Sequence, residues 1–253
     1  MKVSIITIVF NNAETIADAI DSVLGQTYPD IEYIVVDGAS TDGTVDVIKS
    51  YGDRISKFVS EKDNGLYDAI NKGIGLATGD VIGLLHSDDL FYSKQTVTQI
   101  VYAFLSANTE SVYGDLLYVD KQNTSRIIRN WISGKYKKIS FRYGWMPPHP
   151  TFYVKRTIYE KLGLYNTYLQ SAADYELMLR YLYKNDVSTT YIPSKLVKMR
   201  VGGKSNGTFK NRLLANQEDY RAWLINGLKP PFYTRFLKPL RKLLQFTFFK
   251  FKW

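Results

Sequence analysis

Cysteine is absent from the 253 residues. That removes disulfides, thiolate metal sites and cysteine nucleophiles, and leaves carboxylates as the natural metal ligands. No apolar run approaches the roughly 18 residues of a membrane span, and Met1-Lys2 leads straight into a strand-like segment, so neither a spanning helix nor a signal peptide is expected. The expected compartment is the cytoplasm. The common phosphate cradles are missing too. No G-x-G-x-x-G follows the first apolar run, and Gly203-Lys204-Ser205 fails as a phosphate-binding loop because Lys198 stands where that loop needs glycine. What is present is a globular profile, 45% hydrophobic with 20 Tyr and 13 Phe, and a length suited to one α/β domain with additions. The formal charge of +9 asks for an anionic partner: nucleic acid, a membrane surface or a phosphorylated substrate.

Val3 to Phe10 is β-branched and nearly continuous, as in a parallel strand buried on both faces. Asn11 and Asn12 can cap the next helix, with Glu14 at capping-box spacing and Ile16, Ala19, Ile20, Val23 and Leu24 at helical intervals. Ile31 to Val36 is a second strand that delivers Asp37; the turn over 38–44 precedes a helix carrying Val45 and Ile48. A short strand near 57–60 and a helix over 66–76 come next, so the pattern is α/β.

The chain is organised around residues 79–90, an apolar run that ends in two adjacent acids, Asp88 and Asp89. In open α/β sheets ligands bind at the carboxyl ends of strands. Neighbouring acids repel unless a cation stands beside them, and a divalent metal is the usual partner. The alternative for this pair is a helix N-cap with one spare surface acid.

Four segments, Val3 to Asn12, Val35 to Thr44, Asp63 to Gly73 and Leu85 to Asp89, stand in the order seen in family 2 glycosyltransferases, which this chain resembles. The resemblance implies a GT-A fold, a nucleotide-diphospho-sugar donor, a divalent cation (Mn²⁺ or Mg²⁺) and transfer with inversion. It places Thr7, Phe10, Asp37 and Asp63 around the nucleoside and Asp88 and Asp89 at the ribose or the metal. Two positions depart from the family pattern: Gly38 replaces a frequent second Asp, and His86 replaces the first Asp of the metal motif.

In the second half, residues 112–119 read as a strand. Residues 145–153 contain three prolines and read as a rigid extended loop carrying His149, able to touch the diphosphate, the metal or an acceptor hydroxyl. A helix begins near Ser171, with Asp174 in its first turn, where the dipole alone favours an acid. In similar glycosyltransferases an acid here is the catalytic base, which implies Asp174, with Glu176 as the substitute. Residues 200–206 are glycine-rich with the cations Arg200 and Lys204, and form either a lid over the phosphates or a surface turn.

After Asp219 there is no acid but eight Lys and Arg residues. Helical spacing from Arg235 to Leu244 sets Phe236, Leu237, Leu240, Leu243 and Leu244 opposite Arg235, Lys238 and Lys242, the pattern of an interfacial amphipathic helix. It docks either on an anionic membrane or on protein, a homodimer partner included. The expected organisation is a nucleotide-sugar-binding half over 1–120, an acceptor-binding half over 121–206 and a basic helical extension over 207–253. The expected acceptor is a glycan or lipid-linked hydroxyl at the inner membrane face, with no nucleic acid as partner. Competing classes are a basic nucleic-acid-binding protein on an α/β scaffold and a sugar nucleotidyltransferase.

Overall fold

The computed structural model describes residues 1–202 and 209–234, with backbone alone over 209–213. The expected lid residue Lys204 and the amphipathic segment from Arg235 lie outside the described residues.

The first half alternates strand and helix: β1 (Val3–Val9), α1 (Ile16–Leu24), β2 (Ile31–Asp37), α2 (Thr44–Lys49), β3 (Lys57–Ser60), α3 (Leu66–Leu76) and β4 (Val81–Leu84). All seven residues of β1 are buried because apolar layers cover both faces of the sheet. Val3, Ile5 and Val9 pack on one side with Ile16 and Ile20 of α1, while Ile6 and Ile8 pack on the other with Ile70 and Ile74 of α3.

The second half adds β5 (Leu90–Phe91), α4 (Thr96–Ala107), β6 (Ser111–Val119), β7 (Ile127–Trp131), β8 (Tyr153–Lys155), α5 (Arg156–Leu162), α6 (Ala173–Met178), β9 (Thr189–Arg200) and α7 (Phe209–Ile225). The strands form one sheet in the order β3-β2-β1-β4-β8-β6-β9-β5, with β7 on β6. From β3 to β4 the pairing is parallel; β8 is antiparallel to both β4 and β6. Among the described residues no helix is long and apolar enough to cross a membrane.

Two local expectations are corrected. The capping box at Asn11 and Glu14 does not form, and α1 starts only at Ile16 without a side-chain cap. Asn11 sits in the left-handed region (φ 48°), and its side-chain oxygen accepts from Thr41 N–H at 2.9 Å, so it serves the neighbouring turn instead. The loop over 145–153 is not extended throughout. His149–Thr151 makes one 3₁₀ turn with Pro150 in its first positions, where a missing N–H costs nothing, and β8 follows directly.

Candidate active site

β1, β2 and β4 are parallel, so their carboxyl ends deliver the following loops to one edge of the sheet. Side chains stitch those loops together. Asn12 Nδ2 donates to Ser87 Oγ at 3.0 Å, Thr15 Oγ1 donates to the Ser87 carbonyl at 2.9 Å, and Asn11 N–H donates to Ser40 Oγ at 2.8 Å.

Of the residues expected around the nucleoside, Phe10 is 52% exposed and Asp63 lies beside it. A Cβ on Gly38 would come within 3.0 Å of Asp63 Oδ2 and 3.3 Å of Phe10 Cδ2, so glycine keeps this wall open. Asp63 is held by Lys72 Nζ at 2.7 Å, and Lys72 is pushed up by Asp63 first and Glu61 second. Thr7 and Asp37, expected around the nucleoside, are both fully buried. Thr7 Oγ1 accepts from Tyr33 O–H at 3.0 Å inside the α1 layer. The Asp37 carboxylate accepts from Ser40 N–H (3.0 Å), Ser40 Oγ (2.5 Å) and Ser60 Oγ (2.6 Å). These bonds shape the turn after β2.

The acid pair after β4 divides. Asp88 is half-buried at the strand head. Asp89 is fully enclosed, and neither carboxyl oxygen has a hydrogen-bond partner among the described residues. Burial first, and the Asp88 charge second, push the Asp89 carboxyl well above the usual carboxylate range, with Arg200 pulling the other way. Asp89, expected at the ribose or the metal with Asp88, lies in the interior directly behind it. Arg200 closes β9 at 5% exposure and pins this loop. Its Nη1 donates to the Asp88 carbonyl (2.8 Å), its Nε to the Lys121 carbonyl (3.0 Å) and its Nη2 to Asp18 Oδ2 (2.5 Å). Arg200, at the start of the segment expected to form a lid or a surface turn, is thus anchored at the end of β9, and no local signal announces a partner 182 residues away.

Among the described residues no group of three His, Cys, Asp or Glu forms a cage for a metal. Asp88 at the strand head nonetheless fits a hard cation that takes most of its oxygens from a bound diphosphate.

β8 brings the second half to this edge. Its antiparallel register on β4 pairs Ile82 with Val154, which carries His149 to the residues that follow β4. His86 Nε2 and His149 Nε2 lie 2.9 Å apart, and His149 Nδ1 lies 3.5 Å from Asp174 Oδ2. Both rings are pushed down to about 4, chiefly by burial. For His86 the His149 ring adds to the burial, while Asp88 and Asp174 oppose it without restoring the charge. Asp174 stands in the first turn of α6, as expected, and α7 fixes that helix. Glu218 accepts from Gln170 N–H (2.9 Å) and Ser171 N–H (2.7 Å), and Trp223 Nε1 donates to Tyr175 O–H at 3.0 Å. Glu176, the substitute base, is 2% exposed. Arg180 Nε at 2.9 Å and Asn226 Nδ2 at 3.1 Å bind it, so it is structural.

The family model described as glycosyl transferase family 2 matches residues 4–166. An uncharacterised glycosyltransferase of Rickettsia typhi is 32% identical over 236 residues, which is 90% of this chain and 71% of that protein. A glycosyltransferase of Mycobacterium bovis named for PGL/p-HBAD biosynthesis is 28% identical over 80% of this chain and 78% of its own. Two solved structures share the fold. TarS 1–349 of S. aureus in complex with UDP-GlcNAc has a TM-score of 0.68 at 17% identity, covering 89% of this chain and 65% of that one. The mannosyltransferase PcManGT of Pyrobaculum calidifontis in complex with GDP-Man and Mn²⁺ has a TM-score of 0.65 at 19% identity, covering 96% and 69%. The sheet order and the helices on both faces are those of the GT-A fold. With its sheet, the strand-head residues of β1, β2 and β4 and the family match in agreement, the chain belongs to glycosyl transferase family 2.

Proposed function

We propose that the protein is an inverting glycosyltransferase that moves a sugar from a nucleotide-diphospho-sugar to a hydroxyl of a lipid-linked or polysaccharide acceptor. The observation that carries this reading is the meeting of three segments distant in sequence. The loop after β4 with Asp88, the 3₁₀ turn with His149 and the first turn of α6 with Asp174 share one edge of the sheet. A donor whose nucleoside lies against Phe10 and Asp63 directs its diphosphate toward Asp88. A divalent cation, Mn²⁺ or Mg²⁺, held by Asp88 would offset the charge that builds on the leaving diphosphate. Donors of this class occupy TarS, as UDP-GlcNAc, and PcManGT, as GDP-Man with Mn²⁺.

In the transfer step the acceptor oxygen bonds to the anomeric carbon from the face opposite the diphosphate. The bond from that carbon to the phosphate oxygen breaks, its electron pair leaves with the diphosphate, and Asp174 takes the hydroxyl proton. A carboxylate is a weak base, with a reference pKa of about 4, so its contribution comes from position and from accepting the proton late. No covalent intermediate is needed.

Two measurements test the reading. Calorimetric titration with a panel of nucleoside diphosphates, with Mn²⁺ or Mg²⁺ and then with chelator, is expected to give selective binding of one base, weakened by chelation. Asp174→Asn is expected to keep that binding and lose transfer by about 10²-fold or more, the usual weight of a general base. Equal turnover in the two proteins would remove Asp174 from the role, and no binding of any diphosphate would remove the donor.

A further inference from the structure

The chain contains two histidines, and they face each other. Two Nε2 atoms 2.9 Å apart need one proton between them: with none, two lone pairs collide, and with two, the hydrogens do. Above the ordinary imidazole pKa of about 6.5 both rings are neutral, so each carries a single N–H. The carboxylate at His149 Nδ1 decides where those protons sit, because an ionised carboxylate only accepts. His149 then carries its proton on Nδ1 and leaves Nε2 bare, and His86 must carry its proton on Nε2.

Taking Asp174 as the base, the geometry points to His149 and His86 as positioning residues for it: His86 Nε2–H donates to His149 Nε2, and His149 Nδ1–H faces Asp174 Oδ2 at 3.5 Å, where it orients the carboxylate that takes the acceptor's proton. This gives a reason for histidine at position 86. An Asp there would accept from His149 Nε2 and draw the proton to that nitrogen, turning a bare Nδ1 toward Asp174 or forcing a charge onto the ring. The 3₁₀ turn and the β4–β8 register hold the pair rigidly, since Thr151 N–H donates to the Pro148 carbonyl at 2.9 Å and Thr151 is fully buried.

Because the chain has two histidines, ¹⁵N-histidine labelling of the intact protein resolves four ring nitrogens. The expected spectrum at neutral pH shows opposite tautomers, with one ring protonated at Nδ1 and the other at Nε2. The same tautomer in both rings, or averaging between tautomers, overturns the assignment without any variant having to fold. Kinetics give the functional arm. His149→Leu is expected to lower kcat on the order of 10²-fold, as misplacement of a reacting group does, with the calorimetric Kd for the nucleoside diphosphate unchanged. His149→Asn returns an N–H near the Nδ1 position and is expected to recover most of that loss. Undiminished kcat in His149→Leu, or a weakened diphosphate Kd with kcat retained, overturns the positioning role while leaving an inactive Asp174→Asn to support the base. An active Asp174→Asn instead removes the base and the positioning role together.

Discussion

Asp174 and Glu176 stand two residues apart on one short helix, yet a turn of 3.6 residues sends them to opposite sides. Asp174 faces His149, whereas Glu176 points inward to Arg180 and Asn226. The expected outcomes differ accordingly. Glu176→Ala leaves the Arg180 guanidinium, which also donates to the carbonyls of Leu162, Gly163 and Leu164, without its buried counter-charge. Breaking such a pair costs about 3 kcal/mol, so the midpoint in urea should fall while kcat per folded molecule stays unchanged. A normal denaturation curve with lost transfer would instead move the base from Asp174 to Glu176. The same residue scale shows what a sequence leaves out: it does not say which side of a strand or turn faces the cleft, so the burial of Thr7 against Tyr33 and of Asp37 against Ser40 and Ser60 was not legible in it.

At the scale of elements, the short strand β8 matters more than its three residues suggest. It fits against β4 because Gly83 has no side chain: a Cβ there would lie 1.9 Å from Tyr153 Cε1, and that ring is fully buried and cannot move aside. Gly83→Ala is therefore expected to cost at least about 2 kcal/mol through overpacking. It should also lower kcat, because the shift in β8 carries His149 away from His86. A thermal midpoint equal to that of the parent would show that Tyr153 does not seat on β4. Local periodicity made much of the first half legible. The runs at β1 and β2, the helical spacing of α1 and the helix over 66–76 all appear where expected, because each is long enough to show its period. β5, β8 and the 3₁₀ turn at His149 are two or three residues long and exist through pairings with distant strands, which no local pattern encodes. The meeting of His86 with His149 was hidden for the same reason, since it depends on the β4–β8 register.

For the whole molecule, charge and apolar exposure converge on one end. The eight cations after Asp219 supply nearly all of the net +9. The described chain reaches residue 234 beside an exposed aromatic group. Phe232 is 82% exposed and meets Tyr233 edge-on, and Tyr233 stacks on Tyr143 at 5.6 Å between ring centroids. Thr234 Oγ1 donates to the Arg142 carbonyl at 2.5 Å, so the segment leading into the tail is tied to the second half of the chain. An anionic membrane suits this combination, because aromatic rings prefer the headgroup level and each Lys or Arg near the surface adds about 1 kcal/mol. A lipid-linked acceptor presented at that surface would then meet Asp174 without a separate diffusive search. Removing residues 235–253 takes away six of those cations. By that same increment the truncated protein should lose at least about 10²-fold in partitioning onto anionic vesicles at low salt. The full chain should lose most of its binding as ionic strength rises, and neither form should bind neutral vesicles as strongly. Calorimetry with nucleoside diphosphates should give the same Kd for both forms, because Phe10, Asp63 and Asp88 lie on the loops after β1, β3 and β4, remote in sequence from the tail. Unchanged sedimentation of the truncated form with anionic vesicles would assign the tail to a protein contact, and a halved mass in solution on truncation would identify that contact as a second copy of the chain.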